Sequence, residues 1–219
     1  MIRRTTVSRR GMLAATLCSL VMSLFGKKHA AAAPVALTLP ESLPVEGLRD
    51  GRDRALDRRR RYMGCRRDED APNGKRVLIQ RAVKNAYNVI VAPSGPYTDC
   101  EVSVKFKPIS GREDASGGIV FRFSDGRYYV LRANALEDNF RLYYYDKGRH
   151  QLATASVKAP SLGQWHTIRA VVIGNHIQGW LNGQLLLDHH DARFRAGRVG
   201  VWTKADSVTA FDQLAIRGS

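Results

Sequence analysis

The sequence predicts an all-β fold in which two antiparallel sheets pack as a sandwich. From residue 77 onward apolar and polar residues alternate in short stretches, turn dipeptides separate these stretches, and no segment keeps a helical period. Strict alternation gives a strand one apolar and one polar face. About ten such strands joined by tight turns are typical of a β-sandwich.

The first 33 residues are predicted to be an export signal rather than part of that fold. They combine a basic start, an apolar run of 14 residues at 12–25, and small residues at 30–33, which is the order of such signals. The apolar run is shorter than the roughly 20 residues of a spanning helix, so we expect no transmembrane helix in the mature chain. Residues 8–13, "SRRGML", resemble a twin-arginine signal, with an ordinary secretory signal as the alternative. Both routes predict a periplasmic or secreted protein.

Residues 34–69 are predicted to form an irregular, arginine-rich N-terminal segment. Nine arginines lie between residues 49 and 67, and four of them run from Arg58 to Arg61. This segment either docks on anionic envelope surfaces or is a solvated stretch whose aspartates offset part of its charge.

Charge and cysteines limit the partners and the chemistry. Loss of residues 1–33 removes six basic and no acidic side chains, so the formal net charge falls from +15 to +9. Export argues against nucleic acid as the partner, and leaves acidic glycans or an anionic membrane surface. Cys65 and Cys100 remain after cleavage. A disulfide and a buried free thiol are both open for them.

The sandwich domain is predicted to span residues 70–219. Its clearest strand is "TDCEVSVKFK", residues 98–107, in which Cys100, Val102, Val104 and Phe106 share one face. Asp125-Gly126 and Asn182-Gly183 are dipeptides that tolerate the positive φ angles of two-residue hairpins. Further strands are expected at residues 117–124, 127–131, 141–145, 152–157, 166–173, 176–181, 184–188, 198–202 and 209–216.

Three longer stretches resemble a known family. They are "SGREDASGGIVFRFSDGRYYVLRANALEDNFRLYYY", "GQWHTIRAVVIGNHIQGWLNGQLLLD" and "VGVWTKADSVTAFDQLAI". Residues 70–216 are similar to the 3-keto-disaccharide hydrolase type of concanavalin A-like domain, as found in exported bacterial proteins. The resemblance implies a jelly-roll β-sandwich of two antiparallel sheets, which holds sugars over the concave outer face of one sheet. The arginine-rich stretch departs from the family pattern, which has a tryptophan-containing strand there.

Alternation places the candidate ligand-binding residues on that outer face. Aromatic rings stack on sugar C–H groups, and planar polar side chains bind hydroxyls in pairs. The small apolar residues inside "RANALEDNF" indicate a connection that packs against the sheet, so its polar groups need partners. The predicted ligand-binding residues are Arg122, Tyr128, Arg132, Asn134 and Asn139.

The catalytic candidates follow from the implied reaction. Glu137 or Asp206 would remove a proton made acidic by a ketone, and Lys204 or Arg132 would hold the enolate. An ion pair between Lys204 and Asp206 that fixes a turn is the alternative. The sequence contains no carboxylate pair of glycosidase type with accompanying aromatics, and no calcium-loop spacing. We therefore expect no cofactor, with calcium at Glu113 and Asp114 as the alternative.

Three functions remain open from the sequence. The first is an exported, non-catalytic carbohydrate-binding domain. The second is an enzyme that cleaves 3-keto-glycosides. The third is a structural envelope protein that binds anionic surfaces through Arg58 to Arg61.

Overall fold

The computed structural model describes residues 35–36, 63–81 and 87–219, and within these ranges every regular element is a strand. Four strands precede the long central run: β1 (Val35–Ala36), β2 (Met63–Arg67), β3 (Arg76–Gln80) and β4 (Tyr87–Val91). The rest are β5 (Cys100–Ser110), β6 (Ser116–Ser124), β7 (Arg127–Asn134), β8 (Glu137–Tyr145), β9 (Arg149–Ser156), β10 (His166–Ile173), β11 (His176–Leu181), β12 (Gln184–His190), β13 (Arg198–Lys204) and β14 (Val208–Gly218). No helix in these ranges is both long and apolar enough to cross a membrane.

The strands form two antiparallel sheets, as predicted. One sheet has the order β12-β11-β10-β5-β14-β3-β2, with β1 paired to β14. The other has six strands in the order β4-β13-β6-β7-β8-β9. The hairpins at Asp125-Gly126 and Asn182-Gly183 have positive φ at both turn residues, which confirms the turn chemistry read from the sequence.

The core lies between the two sheets and uses the faces that alternation predicts. Val102, Val104 and Phe106 of β5 pack against Tyr129 and Leu131 of β7. The opposite face of β7 carries Tyr128 and Val130, which belong to a separate cluster on the outer face of the six-stranded sheet. The sequence therefore assigned both faces of β7 correctly.

Gly117 on β6 makes one close approach between the sheets possible. A Cβ at this position would lie 2.5 Å from the ring of Phe106, closer than two carbon atoms can approach. Glycine here lets the Phe106 ring rest on the backbone of β6.

Two strands correct the prediction that residues 34–69 are irregular. β2 pairs with β3, and Cys65 lies opposite Leu78. β1 pairs with β14 through Val35 and Ala36. β2 is the edge strand of its sheet, and edge strands commonly carry charged side chains. "MGCRR" has no apolar alternation, so no strand was predicted there. The run from Arg58 to Arg61 lies outside the described residues, as does the export signal.

Cys65 and Cys100 are both free cysteines. Cys65 lies on β2 and Cys100 on β5, with β3 and β14 between them. Neighbouring strands are about 4.8 Å apart, which separates the two sulfurs by far more than a disulfide spans. Burial raises the pKa of the Cys100 thiol to about 12.

Candidate functional site

Glu137 is the centre of a polar cluster at one end of the six-stranded sheet. Its Oε2 accepts hydrogen bonds from Arg132 Nη2 (3.1 Å), Asn139 Nδ2 (2.9 Å) and Arg141 Nη1 (3.2 Å). Its Oε1 accepts one from Asn134 Nδ2 (3.1 Å). The Glu137 side chain is still 37% exposed, so one side of the cluster faces solvent. Four of the sequence-predicted residues thus share one site: Arg132, Asn134, Glu137 and Asn139.

The turn before Glu137 explains its placement. β7 and β8 are joined by only Ala135 and Leu136. Asn134 Oδ1 accepts hydrogen bonds from the backbone N–H of Leu136 (3.0 Å) and of Ala115 (3.2 Å). These contacts hold the turn against β6, as the small apolar residues of this segment predicted. Asn134 is fully buried, and both the oxygen and the nitrogen of its amide make hydrogen bonds, so it positions Glu137 and lies out of reach of a ligand.

Three guanidinium groups surround the ring of Tyr143. Arg141 Nη1 donates to the Tyr143 hydroxyl at 3.2 Å. Arg149 Cζ lies 4.8 Å from the ring centroid and Arg132 Cζ lies 5.9 Å from it. The sequence did not single out Arg149, because it begins a different strand, β9. Its partnership with Tyr143 depends on the sheet register, which the pattern of one strand does not show.

The charges around Glu137 decide its protonation. Partial burial acts to raise the pKa of this carboxyl group. The hydrogen bond from Asn139 and the charges of Arg132 and Arg141 outweigh burial and hold the pKa below its usual value. Glu137 is therefore ionised at neutral pH and is a weaker base than an ordinary glutamate.

An aromatic layer covers the outer face beside this cluster. The rings of Tyr128 and Tyr145 stack at 5.1 Å between centroids, and Tyr87 stacks on Trp202 at 5.7 Å. Tyr87 of β4 also meets Tyr145 of β8 at 5.3 Å, although three strands separate β4 from β8. This contact shows that side chains from distant strands converge over the face.

Tyr128 is buried too deeply within this aromatic layer to contact a ligand. Its ring is sandwiched between Phe123 (5.7 Å) and Tyr145 (5.1 Å), and the residue is 4% exposed. Burial raises the pKa of its hydroxyl. Tyr145, Tyr87 and Phe123 are half-exposed aromatic members of the layer, so they form the surface that a ligand can reach, and Tyr128 supports them.

Asp206 does not belong to the Glu137 cluster. Its carboxylate accepts hydrogen bonds from the backbone N–H groups of Arg112 (2.7 Å), Glu113 (3.0 Å) and Asp114 (3.0 Å). The amide of Arg112 contributes most to holding the pKa of Asp206 below its usual value. Asp206 thus fixes the loop before β6, and this role explains its place in the sequence without catalysis.

Lys204 forms its ion pairs with that same loop. Its Nζ lies 3.6 Å from Asp114 Oδ2 and 3.7 Å from Glu113 Oε1, so the alternative of a Lys204–Asp206 ion pair is wrong. Lys204 alternates with Trp202 on β13 and shares the outer face of the sheet. The positive charge that Glu113 and Asp114 face in the structure is that of Lys204, and calcium binding there stays a prediction.

The prediction that Arg122 binds ligand on the outer face of the sheet is wrong. Alternation places it on the outer face near Arg132, but the register shifts between Phe121 and Ser124, and Arg122 has φ of 50°. This bulge turns its side chain away from the site. The guanidinium donates to the carbonyls of Phe194 (2.8 Å), Thr98 (2.8 Å) and Gly174 (2.6 Å).

A separate set of possible metal ligands lies on the other sheet. Residues 188–191, "DHHD", combine two aspartates and two histidines, and the structure gives the two aspartates different partners. Asp191 accepts a hydrogen bond from the buried Tyr129 hydroxyl at 2.5 Å. Asp188 instead contacts His176 at 2.7 Å, and the ring of His176 stacks on that of His190 at 4.5 Å. The ligand atoms of His176, Asp188 and His190 lie within 4.8 Å of one another.

The comparisons agree with this architecture. Residues 59–217 match the family of 3-keto-alpha-glucoside-1,2-lyase-like domains. The structure resembles the carbohydrate-binding module CBM66 from Bacillus subtilis, with a TM-score of 0.61, 16% identity, and coverage of 72% of this chain and 92% of that one. A Bacillus subtilis protein of unknown function with a galectin-like fold gives a TM-score of 0.54, 14% identity, and coverage of 72% and 87%. At these identities the likeness shows the fold alone. No functionally curated protein matches the sequence.

Proposed function

Because this chain belongs to the family of 3-keto-alpha-glucoside-1,2-lyase-like domains, we propose that it binds a carbohydrate at the Glu137 cluster. The observation that carries the proposal is the arrangement of that cluster beside the rings of Tyr145 and Tyr87. Guanidinium and amide groups bind sugar hydroxyls in pairs, while aromatic faces stack on sugar C–H groups. Its likeness to a carbohydrate-binding module supports the same reading of this face.

The exposed edge of the cluster supplies the contacts. Glu137, Asn139 and Arg141 are all partly exposed, although Asn139 Oδ1 itself is buried and has no hydrogen-bond partner among the described residues. A sugar hydroxyl at this edge would donate to Glu137 and accept from Arg141, while Asn139 orients Glu137. Rigid strands hold all three side chains, so little side-chain freedom is lost on binding.

The test is binding of the purified full chain to an oligosaccharide array, followed by calorimetry on the strongest ligand. Glu137→Gln should lower the affinity about tenfold, since a neutral amide accepts hydrogen bonds less strongly than a carboxylate. Glu101→Gln is the matched control, because Glu101 also pairs with two arginines, Arg169 (2.8 Å) and Arg217 (4.0 Å), but on the other sheet. Absence of binding to every saccharide would refute the proposal.

Cleavage of a 3-keto-glycoside is the second candidate, and the family match favours it. Glu137 would take the proton next to the ketone, and Arg132 and Arg141 would stabilise the enolate. Collapse of the enolate would break the glycosidic C–O bond, and the leaving oxygen would take up the proton from Glu137. The lowered pKa of Glu137 makes it a weak base, so the first proposal explains the site better. Release of the chromophore from a chromogenic 3-keto-glucoside, lost in Glu137→Gln, would establish the enzyme.

We also propose that the protein is exported by the twin-arginine route into the periplasm or beyond. The support is the sequence of residues 8–13 and the apolar run that follows it. Replacing both Arg9 and Arg10 by lysine should retain the precursor inside the cell, as measured by fractionation. Export that continues unchanged in this variant would show an ordinary secretory signal instead.

A further inference from the structure

The site contains more positive charge than its own carboxylates balance. Arg132 and Arg141 lie directly opposite each other on β7 and β8, and both bind the same oxygen of Glu137. Arg149 approaches from β9 and, among the described residues, contacts only aromatic rings. Three guanidinium groups therefore lie around Tyr143, and the single carboxylate of Glu137 pairs with only two of them. Lys204 does not enter this balance, because Glu113 and Asp114 face it.

Several of these guanidinium groups also lack acceptors. Arg132 is only 1% exposed, and its buried Nε and Nη1 nevertheless have no hydrogen-bond partner in the described part of the chain. The same holds for Arg141 Nε and Arg149 Nη1. Buried polar groups in proteins are nearly always paired, and an arginine has five N–H donors to satisfy.

Such an arrangement opposes folding. Like charges opposite each other on neighbouring strands repel, and a buried donor without an acceptor carries the full cost of its lost hydration. The Tyr143 ring offsets part of the charge through cation–π contacts, but a ring face does not accept five hydrogen bonds. A cluster that destabilises the free protein is expected where a ligand completes it.

The missing partner must bring negative charge and planar acceptors. Guanidinium groups match the oxygens of a carboxylate or sulfate in pairs. The open side of the cluster is at Arg141, which is 30% exposed, and Arg149 lies over the half-exposed ring of Tyr87 at 5.8 Å. A sugar ring on the aromatic surface would place an attached acidic group beside Arg141 and Arg149.

We infer that the carbohydrate ligand of this site is acidic, bearing a carboxylate, as in a uronic acid, or a sulfate ester. The inference rests on the proposed binding of carbohydrate at the same place. The acidic group is the counter-charge for Arg132, Arg141 and Arg149, and Glu137 binds hydroxyls of the same sugar.

The experiment compares three matched ligands on the full chain by calorimetry: a neutral oligosaccharide, its uronate counterpart and its sulfated counterpart. At least one acidic form should bind about tenfold tighter than the neutral form, and this advantage should shrink as salt rises from low to physiological concentration. The uronate and sulfate arms identify which acidic group the site takes. Inorganic sulfate is a fourth arm that separates a sugar site from a simple anion site.

Variants locate the effect. Arg141→Gln and Arg149→Gln should each remove most of the preference for the acidic form. Arg169→Gln is the matched control, because Arg169 pairs with Glu101 (2.8 Å) and lies on the ring of Trp180 (4.3 Å), but on the other sheet. It should bind like the wild type.

Each outcome decides a different claim. Equal affinity for the neutral and acidic forms overturns the acidic ligand and leaves carbohydrate binding standing. Binding of inorganic sulfate as tight as that of the best saccharide overturns both claims, as does binding of no saccharide. Acidic preference that survives both arginine variants places the acidic group elsewhere and overturns the inference.

Discussion

Two buried arginines on the six-stranded sheet bind different kinds of partner, one main-chain carbonyls and the other a side-chain carboxylate. Arg122, 2% exposed, donates to three main-chain carbonyls. Arg132, 1% exposed, hydrogen-bonds through its side chain to Glu137 and has two donors without a partner in the described part of the chain. Asp206 and Glu137 repeat the contrast, since Asp206 binds backbone amides and Glu137 binds side chains.

The difference separates structural from ligand-binding roles. Main-chain groups are fixed by the fold, so a charged side chain that satisfies them holds two segments together. Side-chain partners at a partly open edge can rearrange, and an incomplete set of them leaves room for a ligand. We therefore assign Arg122 and Asp206 to the scaffold and the cluster of Arg132 and Glu137 to binding.

The largest effect is expected for Arg122→Met. This change leaves three carbonyls without a donor, and we expect a loss of about 3–5 kcal/mol in the free energy of unfolding. Urea denaturation measures it, and ligand affinity per folded molecule should be unchanged. Stability equal to the wild type would show that these carbonyls bind water as readily as Arg122.

A smaller loss is expected for Asp206→Ala. Three backbone N–H groups lose their acceptor, but the loop at residues 111–113 is largely exposed, so water replaces part of the interaction. By analogy with a lost helix cap, the cost is about 1–2 kcal/mol in thermal or urea unfolding. Carbohydrate binding should persist, and a loss of binding would show that Asp206 contributes to the binding site.

Arg132→Met should change stability little while it removes binding. The variant relieves the repulsion with Arg141, and Glu137 keeps Asn134, Asn139 and Arg141 as donors. We expect a free energy of unfolding within about 1 kcal/mol of the wild type, together with a loss of acidic-saccharide affinity in calorimetry. A loss of stability like that of Arg122→Met would contradict the contrast between the two arginines.

The smallest expected effect is the pH dependence of the contribution of Glu137 to the free energy of unfolding. The pKa of Glu137 is lower in the folded protein than in the unfolded chain, so its stabilising effect is present above the usual carboxyl pKa of about 4. It is lost as the pH falls through the folded pKa. The stability of wild type and Glu137→Gln, measured by urea unfolding from pH 7 downward, should therefore converge in acid. A constant difference would indicate an unshifted carboxyl group.

The sequence predicted the faces of the strands well because alternation is a local property. It placed Tyr128, Val130 and Arg132 together, and it indicated that the connection after Arg132 packs inward. It failed at Arg122, since one bulge reverses the direction of every later side chain. It also gave no sign that Arg149 lies over the ring of Tyr143. That contact joins different strands and depends on register, which alternation within one strand does not encode.

The family resemblance predicted the architecture but not the electrostatics of the site. A jelly roll fixes where a concave face lies, and the residues on that face are set by this chain alone. Glu137 and Arg132 were identified because they follow tyrosine-bearing strands. Arg149 could have been found only by pairing β8 with β9, where Tyr145 lies opposite it.

The unlinked thiols described above bear on how the protein matures. Cys100 is buried and its sulfur keeps its proton at any physiological pH, and Cys65 lies three strands farther along the same sheet. The sandwich thus acquires its final form without an oxidant. On the proposed twin-arginine route, the domain could therefore fold in the reducing cytoplasm before transport.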